Sequence, residues 1–205
     1  MQKKKYEYKK RVTEVAREEF FDKGYKETSM RSISQKSKVG LSNIYNYFKN
    51  KDDILKEILS PLISELTLLL NEHNEPQHID LRVFYSNQIL DHNIQRYLHL
   101  VTKYKRELKL LLFDSQGSIY EDFKEDLIQL QTKIGLEYME KMKEKYPNIN
   151  TNISSFFIHN IGSWFVNTLA EIVSHELTQE EISEFFLDYI RFSTAGWEKI
   201  MNKSN

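Results

Sequence analysis

The 205-residue sequence contains no cysteine, which excludes disulfides, thiolate metal sites and cysteine nucleophiles. Long apolar runs are also missing, because the stretch 108–113 is interrupted by Lys109 and is far too short to span a bilayer. The amino terminus is basic and leads into a charged amphipathic stretch, so no secretory signal is expected. The only prolines are Pro61, Pro76 and Pro147, and such a small number of helix breakers favours a soluble, helical protein.

The formal net charge of −1 conceals two regions of opposite charge. Residues 1–51 carry 14 Lys+Arg against 6 Asp+Glu, a net charge of +8, and residues 52–205 carry 15 against 24, a net charge of −9. A basic region joined to an acidic one is typical of a protein that places one end on a polyanion. The alternative is a solvated, frayed terminus for the first basic side chains, which are Lys3, Lys4, Lys5, Lys9 and Lys10.

The first helix is predicted from the apolar residues Val12, Ala16 and Phe20, which recur every four positions. Gly24 lies where a helix of that pattern needs a left-handed stop, so the helix is expected over about residues 8–23. Thr28 or Ser29 then offers an amino-terminal cap for a second helix, which contains Met30 and Ile33 on its inner face.

A third, short helix is predicted within Ser37–Asp53, where Val39, Ile44 and Phe48 share an inner face. Asn50 can cap the helix that follows, with acidic residues in its first turn. The order helix, helix, turn, helix indicates a helix-turn-helix whose third helix points small polar and phenolic side chains outward. These are Ser42, Asn43, Tyr45 and Tyr47, with Lys49 and Lys51 close behind.

Two blocks of the sequence resemble the amino-terminal signature of the tetracycline-repressor (TetR/AcrR) family of bacterial transcription regulators. They are F-F-D-K-G-Y-K-E-T-S-M-R-S-I-S at residues 20–34 and V-G-L-S-N-I-Y-N-Y-F-K-N-K-D-D-I-L at residues 39–55, about a quarter of the chain. Lys38 stands where the family usually has a turn glycine, and a lysine at positive φ is strained. Gly40 replaces the usual capping serine and is itself an acceptable cap.

The resemblance implies an all-α cytoplasmic regulator with a three-helix DNA-binding domain at residues 1–51 and a larger helical domain at residues 52–205. The second domain would bind an effector and form a homodimer on a palindromic site in double-stranded DNA. From position and resemblance, Ser42 and Asn43 are expected to contact base edges. The residues expected to contact phosphates are Tyr45, Tyr47 and Lys51, together with Thr28 or Ser29 at the start of the second helix.

Beyond the first domain the periodicity predicts about six further helices separated by short polar loops. Residues 54–70 are expected to be helical, with Pro61 as a kink or a break, and residues 71–78 form a loop. The remaining predicted helices span about residues 81–91, 94–104, 106–113, 120–145 and 153–175, and a last one follows a capping box at Thr178 to Glu181.

The last two helices carry more aromatic and aliphatic side chains than one neighbouring helix needs. In the family that the sequence resembles, these two helices form a four-helix dimer interface, whereas on burial tendency alone the same side chains could be ordinary core. The expected interface residues are Phe157, Ile161, Trp164, Phe165, Phe186, Tyr189 and Trp197.

The family resemblance also implies a pocket for a largely apolar small-molecule effector in the second domain. Candidate lining residues are Phe113, Tyr138, His159 and Trp164, chosen as aromatic or amphipathic groups of the middle helices. A histidine such as His159 on an apolar face can equally be a hydrogen-bonded core residue.

An enzyme is not expected, because the six histidines are scattered and no H-E-x-x-H or glycine-rich phosphate loop is present. No catalytic residue, cofactor or metal ligand is therefore assigned. A helical module that binds a membrane surface or another protein is the alternative to DNA binding. The first helix lacks the strong apolar face that membrane interfaces favour.

Overall fold

The computed structural model describes residues 2–84 and 86–202, and for residues 2–5, 73, 84, 87, 88 and 90 only the backbone is described. Over this part of the chain the structure is helical and contains no strand, which confirms the predicted all-α fold. Three short 3₁₀ turns, Glu72–Asn74, Pro76–His78 and Leu81–Phe84, lie between the fourth and fifth helices of this part of the chain. The helices are α1 (Gln2–Glu27), α2 (Met30–Ser37), α3 (Leu41–Ile44), α4 (Lys51–Asn71), α5 (Asn87–Lys103), α6 (Lys105–Phe113), α7 (Phe123–Lys145), α8 (Ser155–Ser174) and α9 (Gln179–Met201).

The chain forms two compact units. Unit 1 comprises Met1–Ser64 and Arg106–Lys124, and unit 2 comprises Glu65–Lys105 and Glu125–Asn205. Unit 1 thus contains α1 to α3, most of α4, and a distant segment that includes most of α6. None of the helices in the described residues is both long and apolar enough to cross a membrane.

The core of unit 1 is built from the apolar positions that the sequence pattern selects. Each of these side chains is almost completely removed from water, and burial of a large aliphatic or aromatic side chain contributes roughly 1.5–3 kcal/mol. They are Val12, Ala16 and Phe20 of α1, Ile33 of α2, and Val39, Ile44 and Phe48 in and around α3.

Gly24 interrupts α1 with φ 76° and ψ 173°, which confirms the predicted break. A Cβ atom at this position would lie 3.3 Å from the carbonyl oxygen of Asp114. The backbone nitrogen of Tyr25 donates to that same oxygen at 2.8 Å. Glycine is therefore required both by the backbone conformation and by the close approach of the 106–124 segment.

The helix caps of unit 1 form largely as predicted. The side chain of Ser29 accepts from the backbone nitrogen of Ser32, and the Ser32 hydroxyl accepts from the Ser29 nitrogen, which makes a reciprocal capping box. Asn50 Oδ1 accepts from the nitrogen of Asp53 at 2.9 Å. Lys38 ends α2 in the left-handed region with φ 54° and ψ 31°, so the strain expected for this lysine is present.

α4 continues through Pro61 without a break, because one missing backbone donor does not outweigh the buried residues on both sides of it, so of the two alternatives for Pro61 the break is excluded. One prediction for the helices that follow was wrong. The predicted helices at 81–91 and 94–104 are instead a 3₁₀ turn and the single helix α5. The run of polar residues Asp91 to Asn93 suggested a loop between two helices. In the structure these residues are helical and lie at accessible positions of α5.

In unit 2, α9 begins at the predicted capping box, where Thr178 and Glu181 exchange side-chain and backbone hydrogen bonds. α7 and α8 approach each other closely at two glycines. A Cβ on Gly135 would lie 2.7 Å from Ile158, and one on Gly162 would lie 3.1 Å from Gln131. The absence of side chains at these positions permits the close contact between the helices.

Candidate nucleic-acid interface and ligand cavity

α3 presents a polar outer surface above a buried inner residue. Gly40 caps the helix, and its carbonyl oxygen accepts from the Ile44 nitrogen at 3.1 Å. Ile44 is buried, whereas Ser42, Asn43 and Tyr45 are exposed, Tyr45 by 51%. Hydroxyl, amide and phenol groups at such a surface can donate to phosphates or to base edges.

Tyr47 lies just beyond α3 and is half-buried, in contrast to the exposed Tyr45. Its backbone nitrogen donates to the carbonyl oxygen of Ile44 at 2.9 Å, which extends the turn after the helix. The phosphate roles predicted for Tyr45 and Tyr47 stay predictions.

Thr28 does not have the predicted phosphate role. Its side chain is only 1% exposed. The hydroxyl donates to the carbonyl oxygens of Gly24 at 2.8 Å and Glu19 at 3.1 Å, so its one hydrogen is directed into the protein. Ser29 is exposed at the start of α2, so of these two residues it remains the candidate for a phosphate contact.

Lys51 has a structural role that the sequence did not reveal. Its ammonium nitrogen donates to the backbone oxygens of Tyr25 and Thr28, both at 2.6 Å, and lies 3.8 Å from the centroid of the Tyr25 ring. Burial lowers the pKa of Lys51, against the attraction of Asp52 and Glu27. The nitrogen has a third hydrogen, so a phosphate contact stays a prediction.

Glu19 is the main polar link between α1 and α2, and sequence reasoning missed it. Its carboxylate is buried and forms ion pairs with Lys23 and Lys36. Burial alone would raise the pKa of Glu19, but hydrogen bonds from Lys23, Lys36 and Ser32 lower it to about 2. The sequence could have indicated the burial of Glu19, because this residue follows the buried Ala16 by three positions and so lies on the inner side of α1.

The segment 106–124 is fixed to the rest of unit 1 by polar contacts. Asp52 Oδ1 accepts from the Tyr25 hydroxyl at 2.9 Å and from the Ile119 nitrogen at 3.1 Å. Arg106 donates to the carboxylate of Glu18 at 2.9 Å. No local sequence pattern predicts these pairings, because the partners are 67 and 88 residues apart.

Two of the amino-terminal lysines predicted to meet phosphate have acidic neighbours. Lys9 forms an ion pair with Glu57 at 2.6 Å, and Lys10 lies 3.8 Å from Glu14. The side chains of residues 3–5 lie outside the described residues, so the phosphate contact predicted for these three lysines stays a prediction.

Unit 2 contains a partly open cavity of about 600 Å³. Of the predicted pocket residues, Tyr138 lines it, whereas Phe113, His159 and Trp164 do not. Phe113 belongs to α6 in unit 1, and His159 Nδ1 lies 3.2 Å from the Thr132 hydroxyl at a separate shallow depression. Trp164 is exposed on α8, so three of the four choices are corrected.

The cavity lining comes from five helices and the loop after α4, which explains why no single stretch of sequence reveals it. The predicted interface residues Ile161, Phe165, Tyr189 and Trp197 are among its lining. Further lining residues include Leu69, Leu70, Glu72, His78, Val83, Ile89, His92, Asn93, Arg96, Tyr97, Gln131, Ile134, Met139, Ile158, Ile190, Ser193, Thr194 and Met201.

The predicted dimer residues divide into buried and accessible groups. Phe165 and Phe186 are buried, and their ring centroids lie 5.5 and 5.8 Å from that of Tyr97. These two belong to the core of unit 2, which corrects their assignment to an interface. Phe157 and Trp164 are exposed, while the remaining three line the cavity.

The sequence prediction also missed exposed aromatic residues on the same two helices. Phe156 is 72% and Phe192 is 71% exposed, and Phe185 is exposed beside Tyr189. Trp164 of α8 lies 4.6 Å from Tyr189 and 5.8 Å from Phe192 of α9, measured between ring centroids. We call Phe156, Trp164, Phe185 and Phe192 the aromatic face, because exposed aromatic side chains on two neighbouring helices are typical of an interaction surface.

In the described part of the chain, no three histidine, aspartate or glutamate side chains are grouped to hold a metal ion. The chemical groups concentrated on α3 are neutral donors and acceptors above a rigid core, in a region of net positive charge. Fold and surface together define a helix-turn-helix protein of the DNA-binding class.

Comparison with known proteins shows which family the amino-terminal region matches. The model of bacterial regulatory proteins of the tetR family matches residues 12–58, which extend from within α1 to the middle of α4. An uncharacterized HTH-type transcriptional regulator from Bacillus subtilis, YhgD, is 26% identical over 138 residues, covering 66% of this chain and 67% of its own length. Residues 12–58 thus match the tetR family of bacterial regulatory proteins, and the chain is similar to an HTH-type transcriptional regulator.

Solved structures show the same fold along almost the whole chain. NalD from Pseudomonas aeruginosa, the secondary repressor of the MexAB-OprM multidrug efflux pump, aligns with a TM-score of 0.64 at 15% identity, covering 98% of this chain and 100% of its own. A TetR-family regulator from Syntrophomonas wolfei aligns with a TM-score of 0.60 at 20% identity, covering 93% and 96%.

Proposed function

We propose that the protein is a cytoplasmic, ligand-responsive repressor that binds a palindromic operator as a homodimer. The observation that carries the DNA-binding part is the exposed polar surface of α3 above the buried residues Ile33, Ile44 and Phe48. A rigid core under a short helix holds its outer side chains in one geometry, as readout of base edges requires. We assign residues 1–51 to DNA binding and residues 52–205 to the effector and the dimer.

The homodimer is supported by the aromatic face of α8 and α9. Monomeric proteins rarely expose several neighbouring large aromatic side chains, and Trp and Phe are enriched in the cores of interfaces. One short helix reads only a few base pairs. Two copies spaced by one DNA turn, about 34–36 Å, read a palindrome with far greater selectivity.

The ligand response is supported by the cavity in unit 2. Its volume of about 600 Å³ lies within the range of small-molecule sites, roughly 300–1,000 Å³. α4 contributes its first residues to unit 1 and Leu69 and Leu70 to the cavity lining. A ligand that binds one arrangement of this helix better than another would change DNA affinity.

The proposed direction of control is repression, because a protein bound across a promoter would exclude other proteins from it. The relative NalD is described as a repressor, which favours the same direction of control here. An increase in expression of the neighbouring genes after deletion of this gene is the expected result, and a decrease would indicate an activator.

The experiment that tests DNA recognition is selection of bound fragments from the source genome, followed by mobility shifts with Asn43→Ala. We expect a palindromic site, and we expect this variant to lose about 1–3 kcal/mol of binding free energy with relaxed selectivity at one base pair per half-site. Asn152→Ala, an exposed loop residue of unit 2, is the matched control and should bind normally. Equal affinity of both variants for every site would exclude Asn43 from readout.

A further inference from the structure

The cavity of unit 2 is lined by two side chains of opposite full charge, Glu72 and Arg96, together with His78 and His92. The guanidinium of Arg96 forms an ion pair with the carboxylate of Glu72. The two side chains are 27% and 32% exposed, respectively, so the pair is partly shielded from water. The backbone oxygen of Glu72 is bonded to His78 Nδ1 at 2.6 Å, which fixes the loop that carries the carboxylate.

Most of the other lining is apolar or phenolic, with Ile134, Ile158 and Trp197 as typical members. Burial raises the pKa of Tyr97 to about 12 against the opposing effect of Arg96. Burial and the proximity of Tyr97 raise the pKa of Tyr189 further. Both phenols therefore stay neutral and can donate one hydrogen bond each.

A charged ligand in this cavity has to compete with the ion pair. An anion that takes the place of Glu72 beside Arg96, or a cation that takes the place of Arg96 beside Glu72, leaves one partly buried charge without its partner, and an unpaired charge in such a place is costly. A charged ligand that instead shares the pair lies close to a group of its own charge. A neutral ligand leaves the pair intact and gains from the apolar walls.

We propose that the cavity selects an uncharged, largely apolar ligand with a hydrogen-bonding group, and that the Arg96–Glu72 ion pair enforces this selection. The inference deepens the proposed ligand response by naming the class of effector. The selectivity of the cavity is a property of binding alone, and it can be measured without DNA.

The test uses three probes with the same ten-carbon chain: 1-decanol, decanoate and decyltrimethylammonium. Each is titrated calorimetrically into the full-length protein at neutral pH and one salt concentration, below the concentration at which it aggregates. We expect 1-decanol to bind at least about tenfold more tightly than either charged probe, as the cost of breaking the ion pair requires.

Two variants should weaken the selection against charged ligands. Glu72→Gln leaves Arg96 unpaired and should raise affinity for decanoate about tenfold, and Arg96→Gln should do the same for decyltrimethylammonium. Affinity for 1-decanol should change by less than about threefold in both, because a neutral head group does not use the charges. Glu75→Gln, in the same loop and exposed, is the matched control with the wild-type order of affinities.

The proposal is overturned if a charged probe binds the wild-type protein as tightly as 1-decanol, or if none of the three binds. It is also overturned if folded Glu72→Gln binds decanoate, and folded Arg96→Gln binds decyltrimethylammonium, no more tightly than the wild-type protein does. The wild-type titrations decide the matter even if a variant does not fold. Mobility shifts with 1-decanol separately test the ligand response: tight binding with unchanged DNA affinity would contradict the proposed function and leave the selectivity standing.

Discussion

In unit 1 the apolar residues of α1 to α3 form a filled core beneath the polar surface of α3, whereas in unit 2 several aromatic side chains of α8 and α9 reach the surface and the helices surround a cavity. Unit 1 also has its helices tied by polar contacts around Glu19, Lys51 and Asp52. A rigid, filled core suits a partner of fixed shape such as duplex DNA. An unfilled interior suits a small ligand, because filling it gives apolar contacts that the empty protein lacks.

The largest expected effect concerns the aromatic face of unit 2. Trp164→Glu places a charge beside Tyr189 and Phe192, and in a twofold interface the change occurs twice. With at least about 2 kcal/mol lost at each site, we expect the dimer dissociation constant to rise about a thousandfold. Sedimentation equilibrium measures this change.

The matched control is Leu136→Glu, because Leu136 of α7 has nearly the same exposed fraction as Trp164 but lies outside the aromatic face. This variant should remain as dimeric as the wild-type protein. Identical dissociation constants for the two variants would place the dimer interface elsewhere. The aromatic face of unit 2 would then have no role in self-association.

The second prediction tests whether unit 1 depends on its polar links. The folded-state pKa of Glu19 is about 2 against an ordinary 4.5, so the ionised carboxylate stabilises the fold above about pH 4.5 and this stabilisation is lost as the pH falls toward 2. The shift corresponds to about 3 kcal/mol at pH 7. Glu19→Gln should lower the free energy of unfolding by an amount of this order.

Urea denaturation of the wild-type and Glu19→Gln proteins at pH 7, 5, 4 and 3 measures the effect. The difference in free energy of unfolding between the two proteins should shrink as the pH decreases. Protonation of Glu19 removes the carboxylate charge from the wild type, and the substitution has already removed it from the variant. Glu14→Gln, at an exposed position on the same helix, should behave like the wild type. A difference that is constant with pH would mean that the charge of Glu19 does not stabilise unit 1.

The third prediction separates two roles of Lys51. Lys51→Met removes hydrogen bonds to two backbone oxygens and should lower the free energy of unfolding by about 1–2 kcal/mol. If the same ammonium also neutralises a phosphate, affinity for all DNA should fall and the log–log salt slope should flatten by about one unit. Mobility shifts across a salt titration measure the second effect.

Lys49→Met is the comparison for this experiment, because Lys49 is exposed and its side chain does not make the backbone contacts of Lys51. It should keep full stability. Loss of stability without any change in salt slope in Lys51→Met would assign this lysine to structure alone.

The smallest expected effect is a gain. Lys38→Gly relieves a left-handed backbone conformation at the turn before α3, although glycine also increases the freedom of the unfolded chain. We expect the free energy of unfolding to rise by up to about 1 kcal/mol, measured by denaturant titration. Lys36→Gly, inside α2, should instead be destabilising, and a loss of stability in both would show that the turn is not strained.

The sequence predicted unit 1 better than unit 2 because the two depend on information of different range. The spacing of Val12, Ala16 and Phe20 and the caps at Ser29 and Asn50 are local, and the structure confirms them. The burial of Thr28 depends on Glu19 and Gly24, and a cap-forming residue type does not reveal whether its hydroxyl faces outward.

In unit 2 a helical pattern defines which side of a helix is apolar but not which neighbour covers it. Phe165 and Phe186 share this pattern with Trp164, yet Tyr97 of a distant helix covers the first two and leaves the third exposed. The cavity was still harder to predict, because it is the space that the side chains of several helices leave unfilled. Its position depends on tertiary geometry that periodicity does not contain.

The two tryptophans of the chain occupy different surroundings: Trp197 lines the cavity and Trp164 lies on the aromatic face. The protein thus carries two tryptophan fluorophores, one sensitive to ligand in the cavity and the other to contacts at the aromatic face. Quenching by a solute that enters the interior would follow the first, and emission that changes with protein concentration would follow the second. Occupancy and self-association can therefore be distinguished optically without any attached label.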